Sequence, residues 1–125
     1  FWRPAFAIPQ GDTDGNPDTI GDPTFIPLLP TPAQPDYPSS HSCLTSSVAE
    51  ELAEFLGTQQ IEVDIVSTVP GLAPRHFTTA NDLTKEIIDA RVWAGIHYRE
   101  TDVKGANLGR KVAQWTLKRY FLPVR

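Results

Sequence analysis

Residues 35–57 read PDYPSSHSCLTSSVAEELAEFLG, and they hold the chain's clearest change of local structure. Pro35 and Pro38 bar a helix up to that point, since proline lacks an amide hydrogen and clashes with the preceding turn. Ser39 and Ser40 follow, both good helix caps. Leu44, Val48, Leu52 and Phe55 then recur at helical spacing, and Gly57 ends the run. The pattern predicts a helix over 42–56 that starts beside the cluster Tyr37-Pro38-Ser39-Ser40-His41.

Upstream, residues 1–40 carry nine of the twelve prolines, with Gly11, Gly15 and Gly21 among them. Such composition does not sustain a helix or a central strand. The segment also carries Trp2, Phe6, Ile8, Phe25, Ile26, Leu28, Leu29 and Tyr37, too many apolar groups for a solvated linker. It reads as an ordered irregular segment lying over something else. Downstream, IEVDIV alternates, with Ile61, Val63 and Ile65 on one strand-like side. Val69 to Pro74 reads as a turn region. Asn81 or Asp82 is placed to cap a helix from about Leu83 through Ala94. A last helix is expected over Val103 to Leu122, with Leu108, Val112, Trp115 and Tyr120 on its apolar face. Three helices and one long loop make a mostly α chain: residues 1–40 a Pro-rich segment, 41–125 the helical part.

The length is 125 residues, 40% hydrophobic and 21% charged, which suits one soluble domain or part of one. A formal charge of −4 argues against a nucleic-acid or anionic-membrane binder. No apolar run approaches the ~20 residues of a membrane span. The single cysteine, Cys43, excludes a disulfide framework and a multi-cysteine zinc site, and it reads as a packed small side chain. The chain opens on Phe1-Trp2-Arg3-Pro4, with no initiator Met or leader pattern, so the expectation is a start inside a longer product.

Three clusters suit oxyanion chemistry. Arg3, stiffened by Pro4, is a bidentate partner for phosphate-like anions, although an Arg-Pro pair alone is more often structural. At Ser39-Ser40-His41, helix amides and hydroxyls attract anions, and His41 titrates near neutrality; plain N-capping is the bland alternative. In ARVWAGIHYR, residues 90–99, Arg91 and His97 stand six apart, about 240° on a continuous helix. They converge if Gly95 ends or bends the helix. Otherwise they are a solvated arginine and a C-terminal histidine favoured by the helix dipole.

Taken in order, Arg-Pro, Pro-Ser-x-His and Arg-x5-His resemble the three-part signature of the superfamily joining type-2 phosphatidic acid phosphatases, bacterial acid phosphatases and vanadium-dependent haloperoxidases. FWRPAFAI, DGNPDTIGDPTFIPLLP, PDYPSSHS, ARVWAGIHYR and GANLGRKVA are most similar to the soluble haloperoxidase-like branch. The resemblance spans nearly the whole chain. It implies the C-terminal part of a helical bundle, with the remaining N-terminal part as a partner. It also implies a pocket for vanadate or phosphate, in which Arg3 and Arg91 clamp the anion and Ser39 donates its hydroxyl. The Ser40 amide would stand where glycine is usual, His41 would be the acid/base, and His97 the phosphorus nucleophile or the vanadium ligand. The implied reaction is halide oxidation by hydrogen peroxide. Soluble acid phosphatase action on a phosphate ester through a phosphohistidine is the second reading, and an inactive structural domain the third. The compartment stays open, with secreted and periplasmic locations as candidates.

Four departures accompany the resemblance. The family's lysine, seven positions before the arginine, has no counterpart ahead of Arg3. Ser-Arg has become Ala90-Arg91. The acidic residue four after the histidine is Thr101, with Asp102 one step late. Gln34 stands where an aromatic or histidine usually lies near the halide. Elsewhere, Asp12, Asp14, Asn16 and Asp18 alternate like a calcium loop, but Pro17 and Pro23 occupy its glycine and glutamate positions. His76 reads as a surface histidine in a loop. Arg110, Lys111, Lys118, Arg119 and Arg125 read as a solvated basic face.

Overall fold

The computed structural model describes residues 2–120 and 122. Its order is α1 (Pro4–Ala7), a 3-10 helix (Ile8–Thr13), α2 (Ser40–Leu56), β1 (Gln60–Ile65), β2 (Arg75–Thr79), α3 (Ala80–Trp93) and α4 (Arg99–Leu117). The chain is mostly α, as the sequence predicts. Phe1 and Arg125, both named above, lie outside the described residues.

The Pro-rich segment does hold helical turns, against expectation. Pro4 sits at the first helical position, where its missing amide hydrogen costs nothing, so it starts α1 rather than barring it. Beyond these turns the segment lies over the end of α3: the Leu28 amide donates to the Ala94 carbonyl (3.0 Å).

Ser39 caps α2 by accepting from the Ser42 amide, and Gly57 closes the helix at φ +67°. Thr79, not Asn81 or Asp82, caps α3; its hydroxyl accepts the Asp82 amide and donates to the Asp82 carboxylate at 2.7 Å. The capping function moved upstream because β2 delivers an extended residue directly into the helix. β2 was not expected at all. It pairs antiparallel with β1, placing Val63 opposite Phe77 and Asp64 opposite His76, with an irregularity between Gln60 and Val63. His76 therefore stands on a strand rather than in a loop. Ile61 and Phe77 pack with Ala49, Ala53, Ala80 and Leu83 in the core.

The buried stripes of α2 and α4 are lined by small residues, and of the spaced apolar set on α2 Leu52 packs against the core. On α2 the buried residues are Ser42, Ser46, Ala49 and Ala53, while Leu44 is 68% and Phe55 84% exposed. On α4 the buried residues are Thr101, Asp102, Gly105, Ala106, Gly109 and Ala113, while Leu108, Val112 and Trp115 are about half exposed. The two helices meet along these small residues, which lets their backbones come close. A Cβ on Gly105 would stand 2.5 Å from the Ser39 carbonyl oxygen. α4 begins at Arg99, four residues earlier than expected, with Glu100 and Asp102 in its first turn complementing the helix dipole, and it ends at Leu117.

Candidate active site

α3 stops after Trp93, and Gly95 at φ +71° turns the chain back. A side chain at Gly95 would press on Phe25 and Pro27. The turn brings His97 under α1, the convergence that Arg91 and His97 require.

Arg3 is the hub. It is 3% exposed. Its Nε and Nη2 donate to the Gln34 carbonyl (3.1 and 3.0 Å), and Nη2 also donates to the Pro35 carbonyl (3.1 Å). Nη1 donates to the Ile96 carbonyl at 2.9 Å and lies 2.8 Å from His97 Nε2. A guanidinium carries five donor hydrogens, so these contacts engage the fork. Arg3 thus ties three distant segments together.

His97 is buried. Its Nδ1 lies 2.8 Å from Asp36 Oδ1, close enough for a charge-assisted hydrogen bond though not aligned for one. Arg3 Nη1 lies 3.3 Å from Nδ1 as well and does not select a tautomer, whereas the Asp36 carboxylate, which only accepts, favours the hydrogen on Nδ1. Burial first, then the Arg3 charge, hold the His97 pKa below the usual imidazole value, while Asp102 and Asp36 oppose them.

Asp36 is 2% exposed, and its Oδ2 accepts from Thr101 Oγ1 at 2.5 Å. Next along α4, Asp102 is fully buried. Its Oδ1 accepts from Ser42 Oγ at 2.8 Å, while Oδ2 has no partner among the described residues. The Ser39 amide donates to the Thr101 carbonyl (3.4 Å), docking the start of α2 onto the start of α4. The Ser39 hydroxyl, fully buried, faces Ser42 as a cap. Ser40 opens the helix, where an amide has no intrahelical acceptor.

Arg91 is half-buried, and its Nε and Nη2 are shielded from solvent with no partner among the described residues. Buried donors left unmatched cost about 1–3 kcal/mol each, so a complementary acceptor is called for. Burial lowers the Arg91 pKa; Asp102 favours its charge and Arg3 opposes it. His41 is exposed at the first turn of α2. Burial of part of its ring and the Arg91 charge hold its pKa down, against Asp102. Arg3, Arg91, His97, His41 and Asp102 thus share one electrostatic neighbourhood, with Arg3 and His97 in direct contact.

Sequence reasoning missed Asp36, Thr101 as its partner, and Ser42. A signal existed for the first: from Pro23 to Ala49, Asp36 is the only acidic or basic residue, histidine aside. The aspartates of the suspected calcium loop serve the loop itself. Asp12 accepts the Gly21 amide, Asp14 the Asn16 amide and Asp22 the Thr24 amide. Among the described residues, no group of three or more His, Cys, Asp or Glu side chains is placed to hold a metal ion.

Two arginines and two histidines thus act on one another electrostatically at the helix ends of this bundle. The family described as VCPO second helical-bundle domain matches residues 1–124, and the chain belongs to it; it is a partial vanadium haloperoxidase-like superfamily member. Among solved structures, the first bacterial vanadium-dependent iodoperoxidase is similar at 29% identity and TM-score 0.77, over 93% of this chain and 26% of that one. The holo form of a bacterial vanadium-dependent chloroperoxidase shares the fold at 20% identity and TM-score 0.64, over 77% of this chain and 23% of that one. The chain therefore spans about a quarter of the length of the structures it matches. Comparison with curated proteins found no match. No helix among the described residues is long and apolar enough to cross a membrane.

Proposed function

We propose that this chain carries the anion site of a vanadate-dependent haloperoxidase that oxidises halide with hydrogen peroxide. The observation that carries the reading is Arg91: its Nε and Nη2 are buried without a partner among the described residues, near enough to His97 for the two to act on each other electrostatically. A tetrahedral oxyanion of vanadate or phosphate type satisfies the donors and meets the histidine. Arg91, the Ser40 amide and His97 Nε2 would hold it, with the Arg3 charge behind them. Bound there, vanadate supplies a Lewis-acid centre that activates peroxide towards halide. His41, kept neutral by partial burial and the nearby Arg91 charge, takes a proton from the entering peroxide at its free ring nitrogen and returns it on departure. The exposed Leu44, Val48 and Phe55 on α2, and Leu108, Val112 and Trp115 on α4, suit a packing surface for the rest of the bundle.

The test is an assay of the full natural product for halide-dependent oxidation by peroxide and for aryl phosphate hydrolysis, each with and without orthovanadate. Oxidation that requires vanadate supports the proposal. Hydrolysis that vanadate suppresses, without oxidation, makes the protein a phosphatase working through a phosphohistidine. Neither activity, with no anion binding, leaves a structural domain.

A further inference from the structure

Asp36 has no place in the anion site itself, yet it is a nearly inaccessible carboxylate. Such a group is expensive unless its oxygens find partners. Oδ2 is fixed by the Thr101 hydroxyl from the first turn of α4 (2.5 Å), and Arg3 Nη1 stands 3.8 Å from Oδ1. With the carboxylate anchored on those two sides, Oδ1 faces His97 Nδ1 at 2.8 Å. Arg3 Nη1 lies 2.8 Å from Nε2 and 3.3 Å from Nδ1, so it does not choose between the two ring nitrogens. The carboxylate does: it can only accept, so its approach to Nδ1 favours the tautomer with hydrogen on Nδ1 and a lone pair on Nε2.

We propose that Asp36 is the positioning residue of His97, fixing its tautomer and ring orientation from the loop ahead of α2, with Thr101 holding the carboxylate in place. Asp36 touches no anion. It acts only through the imidazole, as outer partners of a ligating histidine do. The inference rests on the proposed anion site for its consequence, but the tautomer itself does not need an anion.

The decisive experiment is nitrogen-15 NMR of the His97 ring in the whole chain. Alongside it, equilibrium dialysis measures inorganic phosphate and orthovanadate affinity. Wild type should show a protonated Nδ1 and an unprotonated Nε2. In Asp36→Asn an amide can donate to Nδ1, so the hydrogen should shift toward Nε2 and anion affinity should fall about 10–100-fold. Thr101→Val, which keeps the charge but frees the carboxylate, should give a mixture of tautomers and a smaller loss. Arg91→Ala should weaken anion binding with the tautomer unchanged. A wild-type ring protonated at Nε2 overturns the proposal, and that measurement stands even if Asp36→Asn fails to fold. So does a folded Asp36→Asn, or a Thr101→Val, that keeps both tautomer and affinity. If no anion binds wild type while the tautomer is as stated, the proposed function fails and the positioning role of Asp36 holds.

Discussion

Gly109 on α4 passes so close to the Cys43 carbonyl on α2 that a Cβ there would overlap it, and Gly105 stands in the same relation to Ser39. Both obstacles are backbone, which cannot rotate aside. Glycine normally costs about 1 kcal/mol in a helix relative to alanine, so an unconstrained substitution would stabilise α4. Here the sign reverses. Gly109→Ala and Gly105→Ala should each destabilise the chain by about 2 kcal/mol or more, because the seam must open. Urea unfolding midpoints at constant slope decide it, and a stabilised Gly109→Ala would mean the helices lie further apart.

Arg91 should show opposite effects on stability and binding. Its buried donors are unmatched without an anion, so removing them in Arg91→Ala should raise the stability of the anion-free chain by about 1 kcal/mol or more. Phosphate affinity should nevertheless drop about 10–100-fold, the size of a lost charge-assisted hydrogen bond or two. Thermal unfolding with and without phosphate reads both numbers. A variant that unfolds readily but binds normally would place Arg91 in the scaffold.

Much of this was legible in sequence, and each failure has its own physical cause. α2 and α3 were found within a few residues, because Gly57 and Gly95 end their patterns and polar caps start them. The packing of α2 was not legible: Leu44, Val48, Leu52 and Phe55 mark the helix by their spacing, but Ser42, Ser46, Ala49 and Ala53 recur at the same spacing and are the buried set. Spacing identifies a face; it does not say whether that face packs through large side chains or through close backbones. β2 escaped because only Phe77 in RHFTT is buried, so the strand lacks the alternation that announces one. Asp36 escaped because its partners, Thr101 and His97, lie more than sixty residues away, beyond the reach of any local rule.

His76 gives the hairpin a pH dependence. Its two ring nitrogens lie 2.8 Å from Asp64 and 3.0 Å from Glu62, and these carboxylates raise its pKa, Asp64 most. A histidine whose folded pKa is raised contributes its full stabilisation below the unfolded value of about 6.5 and loses it as pH rises through the folded value. Amide exchange in β1 and β2 should therefore be slower at pH 6 than expected from its pH 8.5 protection, after correction for intrinsic rates. His76→Gln should remove that difference. Equal protection at both pH values in wild type would contradict the assignment.

His97 and His41 should separate in function. His97→Ala removes the one side chain assigned a bond to the anion's central atom, so tightly held vanadate should be lost. His41→Ala should leave vanadate affinity within a few-fold while turnover falls about 10²–10⁴-fold, the range of general acid/base help. Equilibrium dialysis with both variants compares them directly, and equal loss of vanadate in the two would collapse the distinction.

Arg3 meets Ile96 across 93 residues of chain and Gln34 across 31. Bringing such remote segments together carries a loop-closure entropy that local turns avoid. The helices α2 and α3 and the hairpin between them can form from neighbouring residues, whereas the guanidinium finds its acceptors only after both the Pro-rich segment and the end of α3 are in place. The pocket around Arg3 is thus expected to close late in folding, and an early loss of His97 burial on warming, ahead of any loss of helix, is the signature that checks it.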